Sequence, residues 1–229
     1  MAGQTAARSL AEQIADSVAS EIVRGHYGAG EKISETEIAA RLGVSRGPVR
    51  DALTLLEHNM LVMSVPRKYT MVNSLTVREL EHLFEFRQHV LGIASQYAAL
   101  NRLEEDLTLI RRAFDQLLEA TKQAPGEIRA SAFHSNLMWD AIIDASHSHV
   151  VRQGCLNFTG SNIWMLAVQD RLTDPLPRAV QENRAKVWVE LISSIEDRRE
   201  DDAYKFGTQL VRENWQYYKK IFASIFPEE

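Results

Sequence analysis

The sequence predicts a mostly α fold: three short helices and a small two-stranded hairpin, followed by an all-helical antiparallel bundle. Two observations carry that prediction. Apolar residues recur every three to four positions over almost all of the 229-residue chain, the period of helices packed on one side. Only LVMSVPRKYTMVN, residues 61–73, breaks the pattern, with two β-prone runs around a turn.

Helix one is expected from Ser9 to about His26. Ser9 and Glu12 form an S-x-x-E capping box, and Leu10, Ile14, Val18 and Ile22 repeat every four residues. Gly25, Gly28 and Gly30 supply the turn that ends it. Helix two starts at a second capping box, Ser34 and Glu37, and stops near Gly43. Helix three starts at Ser45, a residue type suited to an N-cap, with Pro48 tolerated in its first turn. At about 100° per residue, Val49, Ala52, Leu53 and Leu56 share one arc, extended by Pro48 and Leu55. Arg46, Gly47, Arg50, Asp51, Thr54 and Glu57 fill the opposite arc. Two short helices joined at Gly43 describe a helix-turn-helix. With strands at 61–63 and 69–72 and the SVPRK turn between them, residues 1–73 read as a winged helix-turn-helix with a small two-stranded wing.

From Thr76 onward everything reads as helix. Thr76 and Glu79 form a third capping box, opening a helix to about Asn101, and further helices fit 104–123, 127–145, 149–170, 175–197 and 200–225. Breaks fall at APG (124–126), SHSH (146–149) and LTDPLP (172–177), where Asp174 then Pro175 is an N-cap followed by a first-turn proline. Short connections make neighbours antiparallel, so 78–229 is expected to form a bundle of about six helices, with the domain boundary near 73–78.

Composition narrows the function classes. The chain is 45% hydrophobic and 25% charged, ordinary for a soluble globular protein. The opening MAGQTAARSL lacks the apolar core of a signal peptide. No stretch approaches the roughly 18 apolar residues that span a bilayer, and IWMLAV (163–168) is among the longest runs. Cys155 is alone, which excludes an intrachain disulfide and a thiolate metal cluster. A cytoplasmic location is expected. There is no Gly-rich phosphate loop, metal triad or nucleophile–base signature, so neither a cofactor nor an enzymatic activity is expected.

The net charge is −5, but unevenly spread. Residues 1–73 balance 8 lysines and arginines against 8 acids, leaving 18 against 23 in the remainder. Within 41–68, Arg41, Arg46, Arg50, Arg67 and Lys68 face only Asp51 and Glu57. Local charge sets the field a polyanion meets, so an acidic total does not exclude nucleic acid. A three-turn helix fits the major groove, where arginine donates two hydrogen bonds to guanine O6 and N7. Arg46 and Arg50 stand one turn apart on the polar arc, beside Ser45, and Gly47 between them permits close backbone approach. Arg41, ending helix two, suits a phosphate or groove-edge contact. Ser34 and Thr36, starting it, offer hydroxyl and amide donors to phosphate. Arg67 and Lys68 lie at the hairpin tip, where a wing touches DNA backbone or minor groove. On charge alone the arginines are equally a solvated face paired with Asp51 and Glu57. The order of capped helix pair, cationic face and basic hairpin favours double-stranded DNA.

GEKISETEIAARLGVSRGPVRDALTLLEHNMLV (30–62) closely resembles the N-terminal domain of the GntR family of bacterial transcription regulators. The all-helical remainder resembles its FadR-type branch, whose second domain is called FCD. The resemblance covers nearly the whole chain, specific over 29–62 and looser after 78. It implies a homodimeric repressor on a near-palindromic operator, responsive to a small metabolite, with Arg41, Arg46 and Arg50 contacting DNA. The family's wing usually carries a glycine at its tip; VPRKY has none.

Arg87 is the anomaly of the second part. It falls on the core stripe of Leu80, Phe84, Leu91, Ala94 and Ala98, and a buried arginine needs a partner. That partner is a protein carboxylate, a subunit interface or a bound organic anion held bidentately. His134, in SAFHSNLMWD, shares its arc with Ala130, Leu137, Met138 and Ala141, where a histidine is commonly a hydrogen-bonded core residue. The FadR-like branch often builds a metal site from Asp-x-x-x-His and two later histidines. The matching positions here are Ala130, His134, Asn183 (or Trp188) and Asn214, and the family's glutamate four residues after the arginine is Leu91. His147 and His149 match no ligand position. One imidazole and two amides are a poor set for a transition metal. The expectation is a metal-free polar pocket in which His134, Asn183 and Asn214 hydrogen-bond a carboxylate effector and Arg87 supplies the charge. Two other readings compete: a metal-dependent regulator of the same fold, and a small-molecule-binding or enzymatic helical protein without DNA function.

Overall fold

The computed structural model of the chain describes residues 9–28, 30–66, 68–73, 76–126, 128–159 and 176–224. The described residues form two compact units, 9–73 on the one hand and 76–159 with 176–224 on the other.

In the first unit, α1 (Leu10–Val23) opens on the expected capping box. Glu12 N–H donates to Ser9 Oγ (3.2 Å), and the Glu12 carboxylate accepts from Ser9 N–H (2.7 Å). Ile14, Val18 and Ile22 are buried, whereas Leu10 is exposed. The helix ends about three residues before His26: Gly25 adopts φ +81° and its N–H turns back to the Ile22 carbonyl. The two-residue strand β1 (Lys32–Ile33) leads into α2 (Glu35–Leu42). Ser34 Oγ accepts from Glu37 N–H, half of the expected box. Gly43, at φ +66°, closes α2 in the left-handed conformation that glycine adopts without a Cβ penalty. The chain then enters α3 (Arg46–His58), whose Val49, Ala52, Leu53 and Leu56 are buried as the periodicity expects.

The expected hairpin forms from β2 (Val62–Val65) and β3 (Tyr69–Val72), antiparallel with Val62 opposite Val72 and Val65 opposite Tyr69. The sheet is not two-stranded. β1 adds to the other side of β3, Lys32 opposite Met71 and Ile33 opposite Thr70, giving the order β1-β3-β2. Glu57 does not serve the arginines of α3. Its carboxylate accepts from Ser64 N–H and Oγ, both at 2.9 Å, and ties α3 to β2.

The second unit holds α4 (Val77–Asn101), α5 (Glu104–Gln123), α6 (Ile128–Ala145), α7 (His149–Thr159), α8 (Arg178–Glu196) and α9 (Glu200–Ala223). The expected helix over 149–170 is followed to Thr159; its remainder, and the Asp174–Pro175 cap, lie outside the described residues. α8 starts at Arg178, three residues after the expected 175, because Leu176 and Pro177 are not helical. Thr76 and Glu79 cap α4 reciprocally. α4 is the hub, packing on α6, α7, α8 and most extensively on α9. Phe84 meets Trp215 and Phe222 with ring centroids 4.9 and 5.9 Å away. At the α4–α9 crossing a Cβ on Gly207 would stand 2.5 Å from Ser95 Oγ, and one on Gly92 2.6 Å from Thr208 Cγ2, so both backbones need glycine to approach. Two arginines finish helices. Arg102 donates to the Ile195 and Glu196 carbonyls ending α8, and Arg198 to the Leu100 and Ala99 carbonyls ending α4.

Candidate DNA-contacting surface and ligand pocket

α3 turns its polar arc outward because its other arc is consumed by the core. The Arg46 and Arg50 side chains are 60% and 67% exposed, far from the buried state that would have retired them as core residues. They converge on one carboxylate. Glu35 Oε2 accepts from Arg46 Nη2 at 2.9 Å and from Arg50 Nη2 at 3.4 Å, and Oε1 lies 3.4 Å from Arg50 Nε. The hydrogen bond from Arg46 holds the Glu35 carboxyl below its ordinary range, against the upward push of partial burial. Glu35, in the first turn of α2, is the counter-charge that neither Asp51 nor Glu57 provides.

Around this pair lies an open groove of about 760 Å³, walled by the start of α2, the start of α3 and the hairpin. Ser34, Thr36, Arg46, Arg50 and Lys68 all line it. Ser34 Oγ is engaged in capping, while Thr36 and Lys68 are exposed. Ser45 is exposed and makes no side-chain cap to α3. Gly47 is exposed, and a Cβ there would meet nothing within 4 Å, so packing inside the chain does not require glycine at this position. Arg41 stands apart from the groove lining, its Nη2 2.8 Å from Glu21 Oε2 on α1. Arg67 lies outside the described residues. Lys32, whose Nζ sits 4.2 Å over the Tyr69 ring, adds a cation that helical periodicity could not reveal because it sits on β1.

The bundle presents a different chemistry. Arg87 is buried, its Nε without a hydrogen-bond partner among the described residues. Burial pulls its guanidinium down to about 10, opposed by the nearby Cys155 sulfur. Burial also pushes the Cys155 thiol up to about 11, so at neutral pH it is uncharged and supplies no counter-ion. His134 is half-buried against Phe133, and its Nδ1 is also without a partner. Asn214 is half-buried. Asn183 is exposed instead, its Nδ2 donating to Glu213 Oε2 at 2.9 Å across α8 and α9. Its neighbour Arg184 carries what Asn183 lacks: buried Nε and Nη2 atoms with no partner, beside the Tyr217 and Tyr218 rings. Among the described residues no three His, Cys, Asp or Glu side chains converge on a point where a metal fits. His134, with an alanine at position 130 and amides at 183 and 214, is a donor set unsuited to a transition metal. His147 is occupied elsewhere, its Nε2 2.7 Å from Asp106 Oδ2, and His149 begins α7.

No described helix is long and apolar enough to cross a membrane. The profile of the bacterial regulatory proteins, gntR family, matches residues 10–72. An uncharacterised HTH-type transcriptional regulator from the TAR-I ttuE-ttuC' intergenic region of Agrobacterium vitis is 31% identical over 120 residues, 48% of this chain and 67% of that protein. The probable D-xylose utilization operon transcriptional repressor of Paenarthrobacter nicotinovorans is 30% identical over 133 residues, 57% of this chain and 58% of its own length. The chain spans a little over half the length of the first curated relatives it matches. Among solved structures, E. coli McbR/YncC superposes with a TM-score of 0.69 over 93% of this chain and 99% of that one, a likeness of fold at 17% identity.

Proposed function

Because this chain belongs to the gntR family of bacterial regulatory proteins, we propose that it is a transcriptional repressor of the FadR-type (FCD) branch. It acts in the cytoplasm as a homodimer on a near-palindromic operator and answers to a small carboxylate; it is not an enzyme. The observation that carries the DNA-binding half is the exposure of Arg46 and Arg50 on an arc of α3 that the core leaves free. Two forks held side by side over an open groove suit bidentate contact with guanines, while Ser34, Thr36, Arg41, Arg67 and Lys68 suit backbone contacts that set register.

The ligand half rests on Arg87, a desolvated cation with no described carboxylate partner, which a bound carboxylate would neutralise. The homodimer is supported by α4. Phe86, Ile93, Tyr97 and Leu100 repeat at spacings of 7, 4 and 3 on one side of the helix and are 40% to 54% exposed, opposite the face that packs the bundle. Effector binding then alters the separation of two recognition helices relative to half-sites about one helical turn apart.

Selection of bound duplexes from a random pool, followed by quantitative mobility shift on the selected site, tests this directly. Arg46→Ala and Arg50→Ala should each cost about 1–3 kcal/mol and relax preference at one base pair. Arg41→Ala should weaken selected and scrambled duplexes alike. Intact affinity and selectivity in Arg46→Ala would remove α3 from the DNA.

A further inference from the structure

Among the described residues, five buried side-chain polar atoms lack a hydrogen-bond partner, and four of them are in the helical bundle: Arg87 Nε, His134 Nδ1, and Arg184 Nε and Nη2. The fifth, Glu21 Oε2, is 2.8 Å from Arg41. Native proteins satisfy buried donors almost everywhere, so each exception is a position that a ligand or an ordered water can complete. Of these side chains, Arg184 lines a cavity of about 50 Å³ between α5, α6 and α8.

The composition of that cavity specifies a ligand. Among the described residues that line it, Arg184 brings the sole charge, and none is an aspartate or glutamate. Ser131 and Ser135, one turn apart on α6, face it with hydroxyls that make no hydrogen bond among the described residues, whereas Thr121 and Gln181 are already donating to the Leu117 and Leu176 carbonyls. Leu117, Leu176 and Trp188 supply apolar wall. Tyr217 and Tyr218 stand 5.7 and 5.6 Å from the guanidinium carbon, close enough to position it by face contact. Burial raises the Tyr218 hydroxyl above its usual range, so it contributes no phenolate to balance the charge.

We propose that Arg184, with the Ser131 and Ser135 hydroxyls, is the receptor for the carboxylate of a short monocarboxylic acid whose apolar tail lies against Leu117, Leu176 and Trp188. This inference rests on the reading of the bundle as an effector domain and adds to Arg87 a second cation, Arg184, at which a carboxylate is received. The small volume has room for a few heavy atoms and excludes a sugar acid or an acyl thioester from the same space.

The test uses the full-length protein and three probes, acetate, propionate and butyrate, each against its amide and against sodium chloride at equal ionic strength. Carboxylates, but not amides or chloride, should raise the wild-type Tm, and calorimetric affinity should fall about ten- to hundredfold in Arg184→Gln. Arg184→Lys should retain part of the binding. Arg184→Gln also removes the hydrogen bond to Tyr218 and the face contacts with the two tyrosines, so its ligand-free Tm is the baseline for its own carboxylate shift; an equal carboxylate-induced shift in wild type and Arg184→Gln would overturn the proposal. Undiminished binding in Arg184→Gln together with loss in Arg87→Gln would overturn it while leaving the effector domain in place. Absence of any carboxylate-specific shift in the wild type would also overturn it, and mobility shift on DNA separates that outcome from failure of the regulator itself.

Discussion

Glu35 decides what Arg46 and Arg50 are doing before DNA arrives. Long side chains on an exposed helix face ordinarily sample many rotamers, and ordering each on binding costs about 0.5–1.5 kcal/mol. A single carboxylate that accepts from both guanidinium groups narrows that freedom in advance, yet also places a negative charge beside the expected path of phosphate. The two effects are separable by Glu35→Gln. An exposed ion pair is worth about 0.2–1 kcal/mol, so affinity for scrambled duplex should rise by up to about fivefold, while the ratio of operator to scrambled affinity falls. The pH dependence has a definite sign. A carboxyl whose folded value is depressed keeps its pairing above the ordinary carboxylate range and loses it only as pH falls through the lowered value. The difference between wild type and Glu35→Gln should therefore be flat between about pH 6 and 8. Fluorescence anisotropy on both duplexes reads this, and an unchanged selectivity ratio would reduce Glu35 to a surface contact.

At the scale of elements, the α4–α9 crossing is the joint most exposed to a small change. Gly207→Val drives a branched side chain into Ser95 and toward the Gly92 backbone, and overpacking of this kind costs about 1–3 kcal/mol, measurable as a lower urea midpoint with unchanged m. An unchanged midpoint would mean that the two helices part without penalty. This crossing also marks where sequence reasoning stops. Caps and one-sided periodicity are local, so Ser9 with Glu12, Thr76 with Glu79 and the buried arc of α3 are legible from spacing alone. Arg87 is legible as buried because it interrupts an apolar stripe. What depends on a distant partner is not. β1 is two residues long and exists only because β3 passes beside it. Glu35 becomes the counter-charge of α3 through the turn at Gly43, and the two close glycines sit on helices more than a hundred residues apart. Asn183 and Arg184 show the same limit within one turn: matching to a family pattern assigns a position on α8, but a rotation of about 100° per residue decides which neighbour points inward.

For the whole molecule, charge is what gives the proposed second copy its role. Residues 1–73 are neutral overall, so one DNA-binding unit has little long-range attraction for a duplex and relies on a few arginines at contact. Two units held together bind far better than one, because the second engages as an intramolecular event, with gains of about 10² to 10⁴ in apparent affinity. The exposed stripe of α4, from Phe86 to Leu100 and about 21 Å long, is the surface of the bundle suited to hold them. It reads the same on both copies, as a two-fold interface must. Ile93→Glu places a charge in the middle of the stripe without touching the buried face of α4. The expected result is a monomer by analytical ultracentrifugation, helical content unchanged by circular dichroism, and operator affinity reduced by about a hundredfold or more. Affinity for a duplex carrying a single half-site should stay the same, because each protomer still offers Arg46 and Arg50. A variant that remained dimeric would move the interface off α4; one that became monomeric yet bound the full operator as tightly as wild type would show that pairing of copies contributes nothing to recognition.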